Sequence, residues 1–426
     1  MLSKKPAVLW TIAKKEIVAN LLSYKFFIVI LLTIILISTS FFILCRDYKG
    51  RLADYELIRA KPGEPIAVIA PNPLSVFAKG LEDPMTRSFE VSVTGITARS
   101  GQKSGNLLFS FFPVPDFLYV VRVVLSLVAL LFGFDQISRE KETGTLKLML
   151  ANQISRARIL TGKWISNFLC LSVPFLLVTL LGLAILSLSP DIHFASRDLS
   201  RLTIIILVSL LYIALFLSLG ILISTLTKRA TSSIVILLFI WTTFVFIVPN
   251  LGTLVAGQIV NPPSVKTLNE KRQQAWTREV LLGIKEKNRS ASTWQGHYKA
   301  IYSEMDKVEE DYINKSNQLV RWAKNINRIS PVASFVYAVT EIAGTGIGEE
   351  SQLKRAVISY KNSIFTDLAS SLLDNKKKDY RAFIYRPRSL SEIFAQGAFF
   401  DTAWLVVLNI ILFTISFFAF VKYDVR

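Results

Sequence analysis

Two cysteines and two histidines are all that 426 residues contain. Cys45 and Cys170 each lie beside or inside an apolar run, so there is no disulfide framework and no thiolate metal cluster to read. His193 and His297 stand about a hundred residues apart, and no HExxH, paired CxxC or histidine-rich tract accompanies them. The familiar zinc patterns are therefore missing. No P-loop is present either: Thr161-Gly162-Lys163 has Ala157 where the first glycine would have to stand. No G-x-S-x-G elbow occurs, and no serine is placed to complete a triad with Asp191 and His193. Charge is scarce as well, at 19% of residues against roughly 25% in a soluble domain. An ordinary soluble enzyme is excluded.

Apolar residues fill the gap. They make up 52% of the chain, the mean hydropathy is +0.44, and they collect in long blocks. A bilayer core of about 30 Å needs about 20 apolar residues in a helix. Six runs meet or approach that length: residues 26–45, 117–134, 164–189, 202–227, 232–254 and 402–421. Arg122 is the one charge within them, close enough to the start of its run to reach the headgroups, with Asp116 as a candidate partner and an intramembrane pathway as the other reading. A secondary carrier normally needs ionisable groups deep in its spans, so that mechanism has little support.

Six spans place both termini on one side. The N-terminal segment, the 135–163 loop, the 227–231 turn and the C-terminal residues carry 15 basic and 5 acidic residues, whereas the opposite side carries 33 and 26. Lysine and arginine resist translocation, so the first set is expected in the cytoplasm, with the chain in the inner (plasma) membrane. The net charge of +18 is then largely a signature of topology, and nucleic acid is not an expected partner. The first run is followed by CRDYKG rather than a small-residue cleavage site, which reads as an uncleaved anchor.

Residues 1–25 are expected to include an amphipathic helix at the inner headgroups. Residues 46–116 read as a small outer subdomain with some β structure, because turn residues are frequent (KPGEP, APNP, Gly80, Gly95, Gly101, Gly105) and FEVSVTGIT alternates apolar with polar. Residues 258–400 form the larger outer region. A stripe at three- and four-residue steps, from Tyr298 and Ile301 to Ala323 and Ile326, predicts two long helices folded back as a hairpin. The segment near 330–346 is apolar but too short to span, and is expected to be re-entrant or interfacial; NKKKD at 375–379 reads as a solvated turn. The fold class is thus mainly α, a polytopic membrane protein with six transmembrane helices, a small α/β outer subdomain and a long outer hairpin.

The longest cytoplasmic loop, 135–163, carries Asp135, Arg139, Glu140, Lys141 and Glu142, turns at Thr143-Gly144-Thr145, and then offers Leu146, Leu148, Met149 and Leu150 on a short helix. Such a stub can plug into a cleft on a soluble protein, or it can lie on the membrane. The series Glu140, Glu142, Gly144, Thr145, Leu146, Leu150, Ser155, Arg156, Ile159, Leu160, Gly162, Lys163 resembles the E-x-E-x-G-T-L…L-L…S-R…I-L-x-G-K signature of ABC-2 type permeases, the membrane subunits of ABC exporters. IAKKEI, with Lys14, Lys15 and Glu16, is similar to that family's connecting helix. APNPLSVFAKGLEDPMTRSFEV and SPVASFVYAVTEIAGTG resemble segments of a branch with large outer loops.

The resemblance implies a half-transporter of the type V exporter architecture, without catalytic activity of its own. It would pair with a second permease, identical or homologous, and with two cytoplasmic ABC ATPase subunits that hold the ATP and Mg. It assigns Arg139, Glu140, Glu142, Gly144, Thr145, Leu146 and Leu150 to the ATPase contact and implies no cofactor on this chain. The length of the outer hairpin keeps a second reading open: a membrane-anchored scaffold or mechanotransmission subunit acting on an extracytoplasmic protein partner, with nothing crossing the bilayer.

Overall fold

A computed structural model describes residues 5–59, 64–85, 88–92, 95–99, 115–151, 154–192, 194–260, 264–285, 291–374 and 380–423. His193, Gly101, Gly105 and residues 375–379, expected as a turn, lie outside the described residues. Six helices are long and apolar enough to cross a membrane: span 1 (Tyr24–Arg59), span 2 (Phe117–Glu142), span 3 (Arg156–Ser187), span 4 (Ser196–Leu226), span 5 (Ala230–Ile259) and span 6 (Leu390–Lys422). The protein is a polytopic, mainly α-helical membrane protein. A first helix, α1 (Lys5–Leu21), precedes span 1, and a short one, α2 (Thr145–Ala151), follows span 2.

Span 1 runs well past residue 45, where the apolar run ends. Its extension stays helical because Asp47 and Arg51 pair one turn apart at 3.2 Å, and Tyr48 on the same stretch is buried. At 1.5 Å per residue its 36 residues reach about 54 Å, more than any bilayer core.

Span 4 is the axis of the bundle: 72% of its apolar window is buried, against 11% for span 5 and 17% for span 6. In lipid, apolar surface provides no drive for helix association, so close packing of small residues does much of the work. A Cβ on Gly133 of span 2 would come within 2.8 Å of the Gly220 Cα in span 4, and one on Gly182 of span 3 would strike the Phe41 ring of span 1. Polar side chains tie further pairs together. Trp164 Nε1 donates to Ser218 Oγ at 2.9 Å and Ser218 Oγ donates to Asn409 Oδ1 at 2.9 Å, joining spans 3, 4 and 6. Trp241 Nε1 donates to Ser126 Oγ at 2.9 Å, joining span 5 to span 2.

At the end away from α1 the chain builds a separate small core. Strands β1 (Ile66–Ala67), β2 (Ser88–Ser92) and β3 (Gly95–Arg99) form an antiparallel sheet in that order, with Val91 opposite Ile96. The stretch that alternates apolar and polar is thus a hairpin, and not one strand. Met85 and Val91 pack with Leu353, Val357 and Ile364, so the sheet leans on a helix from far along the chain. That helix belongs to the segment between spans 5 and 6, which contains α3 (Val265–Lys285), α4 (Ala291–Asn327), α5 (Pro331–Ala343) and α6 (Ile347–Asp374). The segment after span 1 and the segment between spans 5 and 6 therefore share one hydrophobic core. Leu81 N donates to Thr345 O at 2.8 Å and Asn72 Nδ2 to Ala343 O at 2.7 Å, sewing them together.

Helices α3 and α4 pack side by side as a hairpin, and α4, at 37 residues, is about 55 Å long. Helix α5 has only 13 residues and is buried along nearly its whole length between spans 4 and 6, its Phe335 ring stacked on Tyr212 at 4.2 Å.

Two outcomes follow from this packing. Gly220→Val should lower stability by about 1–3 kcal/mol through overpacking against Gly133, read as a fall in the unfolding temperature of the solubilised protein. Glu82 is buried, accepts from Asn72 N at 2.6 Å and faces Arg51 at 3.2 Å; burial pushes its pKa from 4.5 up to about 7 despite the arginine. The folded state then binds the proton more tightly than the unfolded one, so this group's contribution to stability declines as pH rises from 4.5 to about 7. Unfolding temperatures measured across that window should show the decline, and Glu82→Gln should flatten it.

Candidate coupling site

The termini-bearing end of the bundle collects the residues singled out in the sequence. Helix α1 packs along span 3, with Ala13 buried in the contact and Lys14 and Lys15 on its exposed side. Glu16, one position further, is turned inward. Its Oε1 lies 2.9 Å from Lys163 Nζ, and the same ammonium lies 2.8 Å from Glu140 Oε1. The Lys163 side chain is only 3% exposed, so the ammonium is shielded from bulk water, while the two carboxylates are part-buried. One lysine thereby holds three elements: α1, the end of span 2 and the start of span 3.

A polar ladder continues from the triad. Asn167, one turn along span 3, donates to Lys163 O at 2.7 Å and accepts from Asn20 Nδ2 at 2.8 Å and from Gln136 Nε2 at 3.4 Å. Lys25 and Asp135 pair at 2.9 Å on the rim, where the lysine is half exposed and the pair contributes only about 0–1 kcal/mol.

The short helix Ser138–Glu142 clamps the turn between spans 4 and 5. Ser224 Oγ accepts from Ile137 N and Ser138 N, each at 3.0 Å. Lys141 Nζ donates to the carbonyls of Thr225 and Thr227 at the end of span 4 and sits 4.4 Å from the centre of the Tyr423 ring. Glu142 Oε2 accepts from Ala230 N at 3.2 Å, at the N-terminus of span 5, where a negative charge is favoured. Arg156 Nη1 donates to the carbonyls of Phe420, Val421 and Tyr423, closing the end of span 6.

Gly144 then reverses the chain at φ +75°, a conformation that suits glycine, and a Cβ there would meet nothing within 4 Å. Helix α2 turns Leu146 into the bundle at 1% exposure and Leu148 outward at 69%, while Met149 and Leu150 pack partly against the core. The sequence-predicted residues accordingly divide into two groups. Glu16, Glu140, Leu146 and Leu150 are bound up inside the chain, whereas Arg139, Glu142, Thr145, Lys14 and Lys15 are exposed. Glu140 is therefore engaged by Lys163 of its own chain, and the surface available to a second protein is Arg139, Glu142, Thr145, Lys147 and Leu148.

Arg122 is not part of this site. It lies near the other end of span 2, its guanidinium 5.4 Å from the centre of the Tyr119 ring, while Asp116 caps the start of that helix by accepting from Tyr119 N at 2.7 Å and also accepts from Lys79 N. Lys163, Asn167, Ser224 and Lys141 are the residues that sequence reasoning did not single out as functional. Lys163 stood in the motif that was read, but a lone lysine at the foot of an apolar run looks like a topology signal until its partners are seen.

The family profile for ABC-2 family transporter protein matches residues 10–425. Over 114 residues the chain is 32% identical to the probable ABC transporter permease protein NosY of Pseudomonas aeruginosa, an alignment covering 25% of this chain and 40% of that protein. It is 33% identical over 91 residues to the probable ABC transporter permease protein NosY of Stutzerimonas stutzeri, covering 21% of this chain and 33% of that one. The chain thus spans less than half the length of either of these curated relatives.

Removing the lysine would leave two part-buried carboxylates facing each other. Lys163→Met should cost about 3–5 kcal/mol, and the triple change with Glu16→Gln and Glu140→Gln should recover most of it. Thermal unfolding of the three forms in one detergent measures both effects.

Proposed function

The chain belongs to the ABC-2 transporter family, and from that premise we propose that it is the permease subunit of an ATP-driven exporter, converting ATP hydrolysis on two separate cytoplasmic ATPase subunits into substrate movement. The observation that carries this reading is the joining of an exposed helix, α2, to the spans through a buried ion triad. A partner pressing on α2 and on the exposed edge of Ser138–Glu142 pushes on a body that already includes α1, span 3 and the turn between spans 4 and 5. Force applied at the tip is not dissipated in a loose loop.

In this mechanism the ATPase subunits close on ATP, α2 and α1 are displaced together, and the spans rock between two arrangements. ATP and Mg belong to the partners; this chain supplies no catalytic group and acts as a mechanical element. The exposed apolar faces of spans 1, 5 and 6 suit the lipid bilayer and a second permease, identical or homologous. The excess of basic residues at the triad end supports a reading with both termini in the cytoplasm and the hairpin on the outer side of the plasma membrane.

A second reading has its own observation. Helix α4 extends about 55 Å, far beyond what lining a pathway requires, which favours a mechanotransmission subunit that drives an extracytoplasmic partner. Deleting the hairpin separates the two: an exporter retains some flux, whereas a transmission subunit retains ATPase coupling and loses all output.

Leu148→Asp alters surface that is exposed in this chain, so it should leave insertion and thermal stability nearly unchanged while abolishing copurification of the ATPase from gently solubilised membranes. Gly144→Trp should abolish it too, at a cost of about 1–2 kcal/mol for the left-handed backbone. Full retention of the ATPase in both variants contradicts the assignment.

A further inference from the structure

Three spans depart from regular α-helix, and all three do so at the hairpin end. Span 2 carries a π-helical turn at Val120–Leu125, span 5 at Thr243–Ile247 and span 6 at Phe394–Ala398. A π turn inserts an extra residue, loosens the backbone ladder and leaves carbonyls in need of other donors. Helix α5 packs against each of the three.

In spans 2 and 5 the root of α5 and a neighbour of it supply such donors. Ser330 Oγ, at the start of α5, donates to Phe244 O in the span 5 turn at 2.7 Å. Tyr212, whose ring stacks on Phe335 of α5, donates to Arg122 O in the span 2 turn at 3.0 Å. In the span 6 turn Gly397 takes φ +128°, and Arg388 Nη1 donates to Gln396 Oε1 at 3.1 Å. One short buried helix is thus in register with the three places where the spans bend most easily.

The hairpin is joined to the same point. Arg328, at the foot of α4, grips Asp401 of span 6 with Nε at 2.6 Å and Nη2 at 3.1 Å. Lys324 reaches the same carboxylate at 3.5 Å, and Trp404 Nε1 donates to Arg328 O at 3.1 Å. Asp401 is fully buried, so its charge depends on those two cations. Asn327, between them, packs so closely on span 5 that a Cβ on Gly252 would overlap its side-chain oxygen.

We propose that the α4 root, helix α5 and Asp401 form a latch through which the outer hairpin and the π turns of spans 2, 5 and 6 move together. The hairpin is then a lever: tilting α4 pulls Arg328 and Lys324 on Asp401, slides α5 between spans 4 and 6, and opens or closes the three turns. As a route from the ATPases to the outer face this rests on the permease reading above; as a latch it does not.

The test uses the full chain in nanodiscs, with Cys45 and Cys170 changed to serine and Ser334→Cys as reporter. Ser334 is buried in α5 and its hydroxyl has no hydrogen-bond partner, so a thiol fits there. The rate of labelling by a membrane-impermeant maleimide is followed without any ATPase. Asp401→Asn should raise the rate tenfold or more, while Arg328→Lys, which keeps the cation, stays within about twofold of the parent. If Asp401→Asn does not incorporate into nanodiscs, Ser330→Ala should raise the rate severalfold. Rates equal to the parent in the variant that incorporates overturn the latch. A second arm adds the copurified ATPase with ATP and vanadate to the parent. A changed rate is expected; an unchanged rate with the ATPase bound overturns the transmission, whereas failure of the ATPase to copurify faults the permease reading and leaves the first arm standing.

Discussion

A buried ammonium placed 2.8 and 2.9 Å from two part-buried carboxylates ties together the elements that carry them. Moving one carboxylate away breaks one of the two contacts on the buried ammonium, and moving both leaves it without compensation, which costs several kcal/mol. Lys163 therefore does more than neutralise charge: it removes the freedom of α1, the end of span 2 and the start of span 3 to move separately. The arrangement at this end of the molecule, including the Asn167 ladder and the clamp on the turn between spans 4 and 5, is built around that constraint. Exposed Leu148 and Lys147 are presented by a helix whose neighbour Leu146 is anchored in the core, so the contact surface is rigidly based.

Asp401 at the opposite end reproduces the logic with the signs exchanged. There one buried carboxylate is held by two cations from α4, and the elements joined are the outer hairpin and span 6. Between the two ion sites the bundle is held mainly by packing around span 4, with glycine contacts and a few hydroxyl and indole hydrogen bonds. A rigid body at the triad end, and π turns in three of the spans at the end that holds Asp401, suit a molecule that passes a displacement along its length.

Much of this was legible in the sequence, and the exceptions have physical causes. Apolar runs of about 20 residues are dictated by bilayer thickness, so the six spans could be read directly. The hairpin was legible because a long stripe at helical spacing leaves little choice of structure. The extension of span 1 to Arg59 was not, since it depends on one ion pair and one buried tyrosine and not on a hydrophobic run. Nor was the shared core of the outer regions, because Val91 and Leu353 are brought together by the whole fold. Glu16 and Glu140 stood out through resemblance to a family pattern, yet the lysine that unites them sits 147 positions from Glu16 and was indistinguishable from a topological charge. The π turns leave little sequence signature: those in spans 2 and 5 consist of residues that α-helices also contain, and only Gly397 in the span 6 turn stands out.

The central claim is that the exposed face of α2 is where ATPase force enters a body rigidified by Lys163. The most direct measurement places a photo-crosslinking amino acid at position 148 in the full-length protein in its native membrane and identifies what it captures. The account predicts covalent capture of the ATPase from position 148, with the same yield from a protein carrying the hairpin deletion. Capture of lipid alone at position 148, with the ATPase copurifying undiminished, would contradict it.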